Sequence, residues 1–172
     1  MAPVYAEPKS QYYNPMQKEA PMTTTPKPAL PVLDDFPFQT FDKLRYADTD
    51  RQGHVNNAAF STFLETGRVE FLYDPAHTLV DTGCSFVIAR LDLSLRAEIT
   101  WPGRVDIGTG VRRVGSSSVT LGQALFQNGR CVATAETVIV QTNDTTRTSH
   151  PLTAHAKAFL AARPCRPEPT GA

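Results

Sequence analysis

The stretch from Arg45 to Leu72 limits the possible folds more than any other part of this chain. It reads R-Y-A-D-T-D-R-Q-G-H-V-N-N, followed at once by A-A-F-S-T-F-L-E-T-G-R-V-E-F-L. A polar loop feeds one long helix. The loop sets Asp48 and Asp50 among Arg45 and Arg51, turns at Gly53, and presents His54, Asn56 and Asn57 where a helix begins. Asn and Asp cap helices and tolerate turns. From Asn57 onward, Phe60, Phe63, Leu64, Gly67 and Phe71 fall in one narrow stripe at helical spacing. Such a stripe needs a sheet to cover it. Asn57, Ser61 and Glu65, each four apart, form a polar line along one flank of the stripe. Asp74-Pro75 stops the helix, because proline disfavours helical geometry in the residue before it. A helix of about eighteen residues spans about 27 Å. Strands of about eight or nine residues match that length.

The rest of the chain supplies such strands. A first strand is expected over Phe36 to Tyr46, with imperfect alternation. Phe86 to Arg96 alternates, with Val87, Ala89, Leu91, Leu93 and Leu95 expected on one face and Arg90, Asp92, Ser94 and Arg96 on the other. Arg104 to Val114 repeats the pattern. Ser117 to Gln127 and Arg130 to Gln141 are joined by Asn128-Gly129, a dipeptide suited to a tight hairpin because both residues accept positive φ. Pro151 to Ala162 reads as a short closing helix. One strand, one apolar-faced helix and an antiparallel series of strands make an α+β domain over residues 35–162.

Composition narrows the function classes. At 172 residues the chain is long enough to bury a core without disulfides or metals. Formal net charge is zero, so no basic footprint for nucleic acid or an anionic membrane is present. No apolar run is long enough to cross a bilayer. Cys84, Cys131 and Cys165 are few, distant and odd in number, which fits structural thiols in a reducing, cytoplasmic setting. Asn143-Asp144-Thr145 matches a glycosylation acceptor, yet no apolar signal segment precedes the domain. Residues 1–34 hold seven of the fourteen prolines and no apolar periodicity, the pattern of an extended or disordered tail. Residues 163–172 read as a C-terminal tail. Met22 resembles a second start, which would make the preceding residues an upstream extension.

The loop and helix suit carbonyl chemistry. A helix start presents unpaired N–H groups and partial positive charge, so it can hold an oxygen on which negative charge develops. Asp50, seven residues before Asn57, is placed near that entrance and could attack the carbonyl or activate water. The same residues also admit a structural reading. Asp48 or Asp50 can cap the turn and pair with Arg45 or Arg51, Asn56 and Asn57 can be plain caps, and Glu65 with Arg68 can be a surface ion pair. No grouping has zinc spacing, no nucleophile elbow is present, and Gly108, Gly110 and Gly115 lie within strands rather than ahead of a helix.

D-T-D-x-x-G-H-V-N-N, the spacing to F-L-E-T-G-R, and the strand order that follows resemble the hotdog-fold acyl-CoA thioesterases of the 4-hydroxybenzoyl-CoA thioesterase family, over Phe36 to about Leu152. The resemblance implies a long central helix wrapped by a curved five-stranded antiparallel sheet. It also implies an enzyme that hydrolyses a thioester to free acid and CoA without a cofactor or metal. Asp50 would correspond to the catalytic carboxylate and the Asn57 N–H to the donor that polarises the thioester carbonyl. His54 matches the H-V-N-N subgroup, which also resembles plant acyl-carrier-protein thioesterases; there a catalytic histidine stands at this position, and the asparagine expected two residues earlier is Gln52 here. Glu65 matches the helix glutamate, and Tyr46 an aromatic position beside the site. Gly53, Val55 and Asn56 would shape the substrate entrance. The family further implies a homodimer or homotetramer, the dimer's sheets joined edge to edge, with Arg90, Arg96, Arg112 or Arg113 available to CoA phosphates. Two rivals remain. An enoyl-CoA hydratase of the same fold would carry an Asp and a His five apart with Asn-Pro between, whereas Asp50 and His54 are four apart. A non-catalytic acyl-CoA-binding protein would bind without hydrolysis.

Overall fold

The structure, a computed structural model, describes residues 29–166. Met22 and most of both expected tails lie outside those residues. Five strands form one antiparallel sheet: β1 (Phe38–Lys43), β2 (Cys84–Leu95), β3 (Arg104–Val114), β4 (Ser118–Gln127) and β5 (Arg130–Asn143), in the spatial order β1-β3-β4-β5-β2. Among the described residues two α-helices accompany the sheet, α1 (Asn57–Leu72) and α2 (Ala154–Ala161). The β4–β5 hairpin turns at Asn128 and Gly129, whose φ values of 52° and 76° are those the dipeptide was expected to adopt.

α1 has sixteen residues, two fewer than expected, and spans about 24 Å. All five stripe residues are buried, with Arg68 and Leu72 beside them. Its apolar face packs on β3, β4 and β5 through Phe60, Phe63 and Leu64 against Val105, Ile107, Leu125 and Ala133. Gly67 sets how closely it docks. A Cβ there would lie 2.5 Å from Ile107 Cγ2 and 3.1 Å from Thr109 Oγ1. A buried polar fork fixes the same crossing: Gln123 Nε2 donates to the Leu64 carbonyl (2.9 Å) and to Thr109 Oγ1 (3.2 Å), while Thr137 Oγ1 donates to Gln123 Oε1 (3.2 Å). Every polar atom of the Gln123 side chain is thereby engaged under the helix, as a buried amide requires.

The structure corrects three expectations. The first strand is shorter than Phe36 to Tyr46, because the Leu44 N–H turns to the Gly103 carbonyl and Tyr46–Asp48 form a 3-10 turn instead. β2 does not alternate cleanly: a bulge between Ile88 and Arg90 leaves Ala89 as an extra residue. Ile88 pairs with Ile139 and Leu91 with Thr137, both on the helix side, so Phe86 and Ile88, not Val87 and Ala89, continue the face of Leu91 and Leu93. The chain also keeps packing after residue 162. β1 pairs with β3 only as far as Thr109, and residues 163–165 take the next part of that edge, with Val111 N–H to the Arg163 carbonyl and Cys165 N–H to the Val111 carbonyl.

That terminal segment helps cover the sheet face away from α1. Phe36 lies over Gly108 and Cys165 over Gly110 and Gly122, close enough that a Cβ at any of the three glycines would collide. This explains Gly108 and Gly110, two of the glycines that could not belong to a dinucleotide loop. The three cysteines are buried and not joined in disulfides. Asn143 Oδ1 accepts the N–H groups of Thr145 and Thr146, so the side chain of the glycosylation-like triplet caps its own turn. No helix of the described residues is long and apolar enough to cross a membrane.

Gly67→Ala is expected to lower stability by about 1–3 kcal/mol through overpacking against Ile107, despite a gain in helix propensity of about 1 kcal/mol. Urea denaturation checks this; a more stable variant would show that the docking distance is not set at Gly67.

Candidate active site

The loop ahead of α1 is built on Asp48. Its buried carboxylate accepts the Arg45 N–H on Oδ2 (2.8 Å) and grips the Arg45 guanidinium through Oδ1 at 2.7 Å from Nη2 and 3.1 Å from Nε. The Asp48 carbonyl accepts the Asn56 N–H at 2.8 Å. One residue thus ties the start of the loop to the start of the helix. The side-chain bond from Arg45 holds the Asp48 carboxyl below the usual carboxylate range, against the opposing effect of burial.

Between these ties the chain makes a tight excursion, with Thr49 bridged to Val55. Asp50 N–H donates to the His54 carbonyl at 2.7 Å, Gly53 N–H to the Asp50 carbonyl at 3.1 Å, and Gly53 takes φ +83°. The Asp50 carboxylate is exposed and has no arginine partner among the described residues. Both bonds it accepts, from the N–H groups of Gln52 (2.7 Å) and His54 (3.3 Å), fall on Oδ1. Oδ2 is left to face a substrate or water. The two acids, either of which could have been a structural cap, are therefore sorted: Asp48 is the clamp, Asp50 the available carboxylate.

The helix start is sorted in the same way. The Asn56 side chain caps it, Oδ1 accepting the Ala58 N–H at 2.9 Å, and the Asn56 carbonyl accepts from Ala59. Asn57 is the first helical residue, and by position its N–H has no intrahelical acceptor. Asn57 borders one cleft of about 480 Å³ together with Asp50, Gln52, His54, Val55 and Phe60. The far wall of the cleft is Leu95 to Glu98; Arg96 was among the arginines expected to be available to CoA phosphates, whereas Glu98 was not singled out from the sequence. Glu98 Oε2 stands 3.2 Å from His54 Nε2. The backbone fixes that meeting, since Val55 N–H donates to the Ile99 carbonyl and His54 bridges to Thr100.

Other expected residues lie apart from this cleft. Tyr46 is exposed and stacks edge to face on Trp101, ring centroids 5.6 Å apart. Glu65 lies two turns along α1, 3.7 Å from Arg68, in a second cleft between α1 and β2. Arg90 is held by Asp92 (2.9 Å) and Glu136 (2.8 Å). Among the described residues no group of three or more His, Cys, Asp or Glu could hold a metal ion.

This frame is shared with known proteins. The thioesterase-like superfamily pattern matches residues 44–163. The chain belongs to that superfamily. A protein of Pseudomonas aeruginosa strain PAO1 superposes with a TM-score of 0.72 at 23% identity, covering 80% of this chain and 99% of its own. A predicted thioesterase from Bacillus stearothermophilus gives 0.67 at 26% identity, with 76% and 98% covered. A thioesterase from Thermus thermophilus, complexed with coenzyme A and Zn, gives 0.65 at 25%, with 78% and 98% covered. No curated protein matches the chain. In this superfamily member, the matched span takes in the Asp48 clamp, the Asp50 turn and all of α1.

Asp48→Asn is expected to lower stability by about 1–3 kcal/mol at neutral pH, through loss of charge-assisted hydrogen bonds. Because the folded carboxyl is shifted below its ordinary value of 3.8, its contribution is present in full above that pH. It fades as pH falls through the folded value. Denaturation of both proteins across the acid range checks this; a constant difference would refute it.

Proposed function

We propose that the chain is an acyl-CoA thioesterase of the 4-hydroxybenzoyl-CoA type, H-V-N-N subgroup, with the hotdog wrap of a curved sheet around α1. The observation that carries this reading is the single cleft bordered by both the unpaired Asp50 carboxylate and the first residue of α1. The thioester carbonyl oxygen would accept the Asn57 N–H, where the helix start stabilises the charge that develops on it. Asp50 then acts in one of two ways. As a base it takes a proton from water while the water oxygen bonds to the carbonyl carbon, the C–S bond breaks, and the CoA thiolate is protonated. As a nucleophile it bonds to that carbon itself, expels the thiolate, and the mixed anhydride is hydrolysed in a second step. Single-turnover reaction in ¹⁸O-water, followed by mass analysis of Asp50 and the product acid, separates the two.

His54, steadied by Glu98, would orient water or the leaving sulfur, and Gly53, Val55 and Asn56 shape the entrance. Tyr46 would flank the bound thioester. Arg90 would reach a CoA phosphate only by leaving Asp92 and Glu136. The neighbour complexed with coenzyme A supports a CoA thioester as substrate. An acyl-carrier-protein thioester is the alternative. The unpaired edge of β2 supports a homodimer joined through that edge, with a tetramer as a further step. The domain would run from residue 35 through the packed segment that ends at Cys165, flanked by tails, in the cytoplasm.

Free-thiol release from short, long, branched and aromatic acyl-CoAs tests the function, with wild type and Asp50→Asn side by side. Wild type is expected to release thiol and the variant to lose at least about a hundredfold. Equal turnover would remove Asp50 from the mechanism. Binding without release by folded wild type would replace the enzyme with an acyl-CoA-binding protein.

A further inference from the structure

The second cleft, between α1 and β2, contains a group that the reaction above does not use. It measures about 340 Å³ and is mainly apolar, bordered by Val69, Leu72, Phe86, Ile88 and Ile139. Arg68 lines it too. The residue is only 9% exposed, its Nη1 is buried without a hydrogen-bond partner, and Nη2 stands 3.7 Å from Glu65. Glu65 is 61% exposed, so water screens that pair and little of the guanidinium charge is neutralised within the cleft. Burial pulls the guanidinium below its ordinary value, with Glu65 opposing the shift. A buried guanidinium needs an acceptor, and a carboxylate matches its fork with two parallel bonds.

The fold indicates what could bring that acceptor. β2 borders both clefts: Phe86 and Ile88 line the Arg68 cleft near one end, and Leu95 lines the Asp50 cleft at the other. When two copies of an edge strand pair antiparallel about a two-fold axis, each end of one strand faces the opposite end of the other. The Asp50 cleft of one chain then opens towards the Arg68 cleft of its partner. An acyl group whose carbonyl sits at Asn57 would send its far end into an apolar channel that ends in a cation.

We propose that the α1–β2 cleft is the acyl-tail pocket and that Arg68 is its specificity-determining residue, selecting acyl groups with a carboxylate at the far end over plain alkyl chains. This rests on the thioesterase reading. The apolar walls accept the methylene segment, Arg68 pairs with the terminal carboxylate, and an alkyl tail would leave the guanidinium unpaired. A site built to bond a polar group penalises the ligand that lacks it.

The test compares kcat/KM for length-matched pairs, adipoyl-CoA against hexanoyl-CoA and suberoyl-CoA against octanoyl-CoA. Wild type, Arg68→Met and Arg68→Lys are run together. Wild type is expected to favour the carboxyl-ended member by at least about tenfold. Arg68→Met, which keeps length and apolar bulk, should bring the ratio to one or below. Arg68→Lys should keep part of the preference, because it retains the charge without the planar fork. A wild-type ratio at or below one overturns the proposal, as does a ratio unchanged in Arg68→Met, whatever happens to the oligomeric state. Either result leaves the thioesterase reading standing if alkyl thioesters are cleaved. No cleavage of any member by folded wild type overturns both. If Arg68→Met fails to fold, the wild-type and Arg68→Lys ratios decide, and equal values for those two count against the role.

Discussion

The Asp48 carboxylate and carbonyl act in opposite directions along the chain, and the candidate site depends on both. The carboxylate reaches back to the Arg45 N–H and guanidinium, while the carbonyl takes the N–H of Asn56, the residue that caps α1. The residues from Thr49 to Val55 are consequently held as a closed excursion rather than a free loop, with Asp50 near its tip and the helix start at its base. Because α1 is itself fixed by Gly67 against Ile107 and by the Gln123 fork beneath Leu64, the carboxylate and the first helical N–H inherit their placement from the core. A site of this kind is preorganised by packing that never touches a substrate.

Much of this was legible in the sequence because it is local. The stripe from Phe60 to Phe71 has one period, and every member is buried. Asn128-Gly129 can form few other turns. The loop from Asp48 to Asn57 encodes its own closure through short-range bonds, so Asp50 could be placed near the helix entrance from its position alone. What could not be read was which of two acids two residues apart would be consumed. Either carboxylate can serve as a cap in the sequence, and only the turn at Tyr46–Asp48 aims one at Arg45.

The misread parts depend on strand register. The apolar residues of β2 look continuous through Val87, Ala89 and Leu91, but the extra residue at Ala89 inverts the faces on one side of it. Glu98 meets His54 because the segment after β2 runs beside the loop, a pairing between residues far apart in the chain. Arg68 shows the same limit in another form. At helix spacing from Glu65 it reads as half of a surface ion pair, yet the sheet buries it and leaves its partner in water.

That asymmetry in the Glu65–Arg68 pair bears on how α1 is used. Its first turn offers a donor suited to an oxygen that gains charge during reaction, and its fourth turn holds a cation suited to an oxygen already charged. Eleven positions separate Asn57 from Arg68, about 16 Å along the axis. One rigid element could therefore serve both chemistry and selection, at points too far apart to interfere. The exposed Val69, Tyr73 and Ile88 lie beside the second point, on the same side as the open edge of β2. Apolar surface next to an unpaired strand edge favours burial by another copy. In the proposed dimer, that burial would also complete the channel, so the contact that removes the exposed patch would give the acyl group somewhere to go.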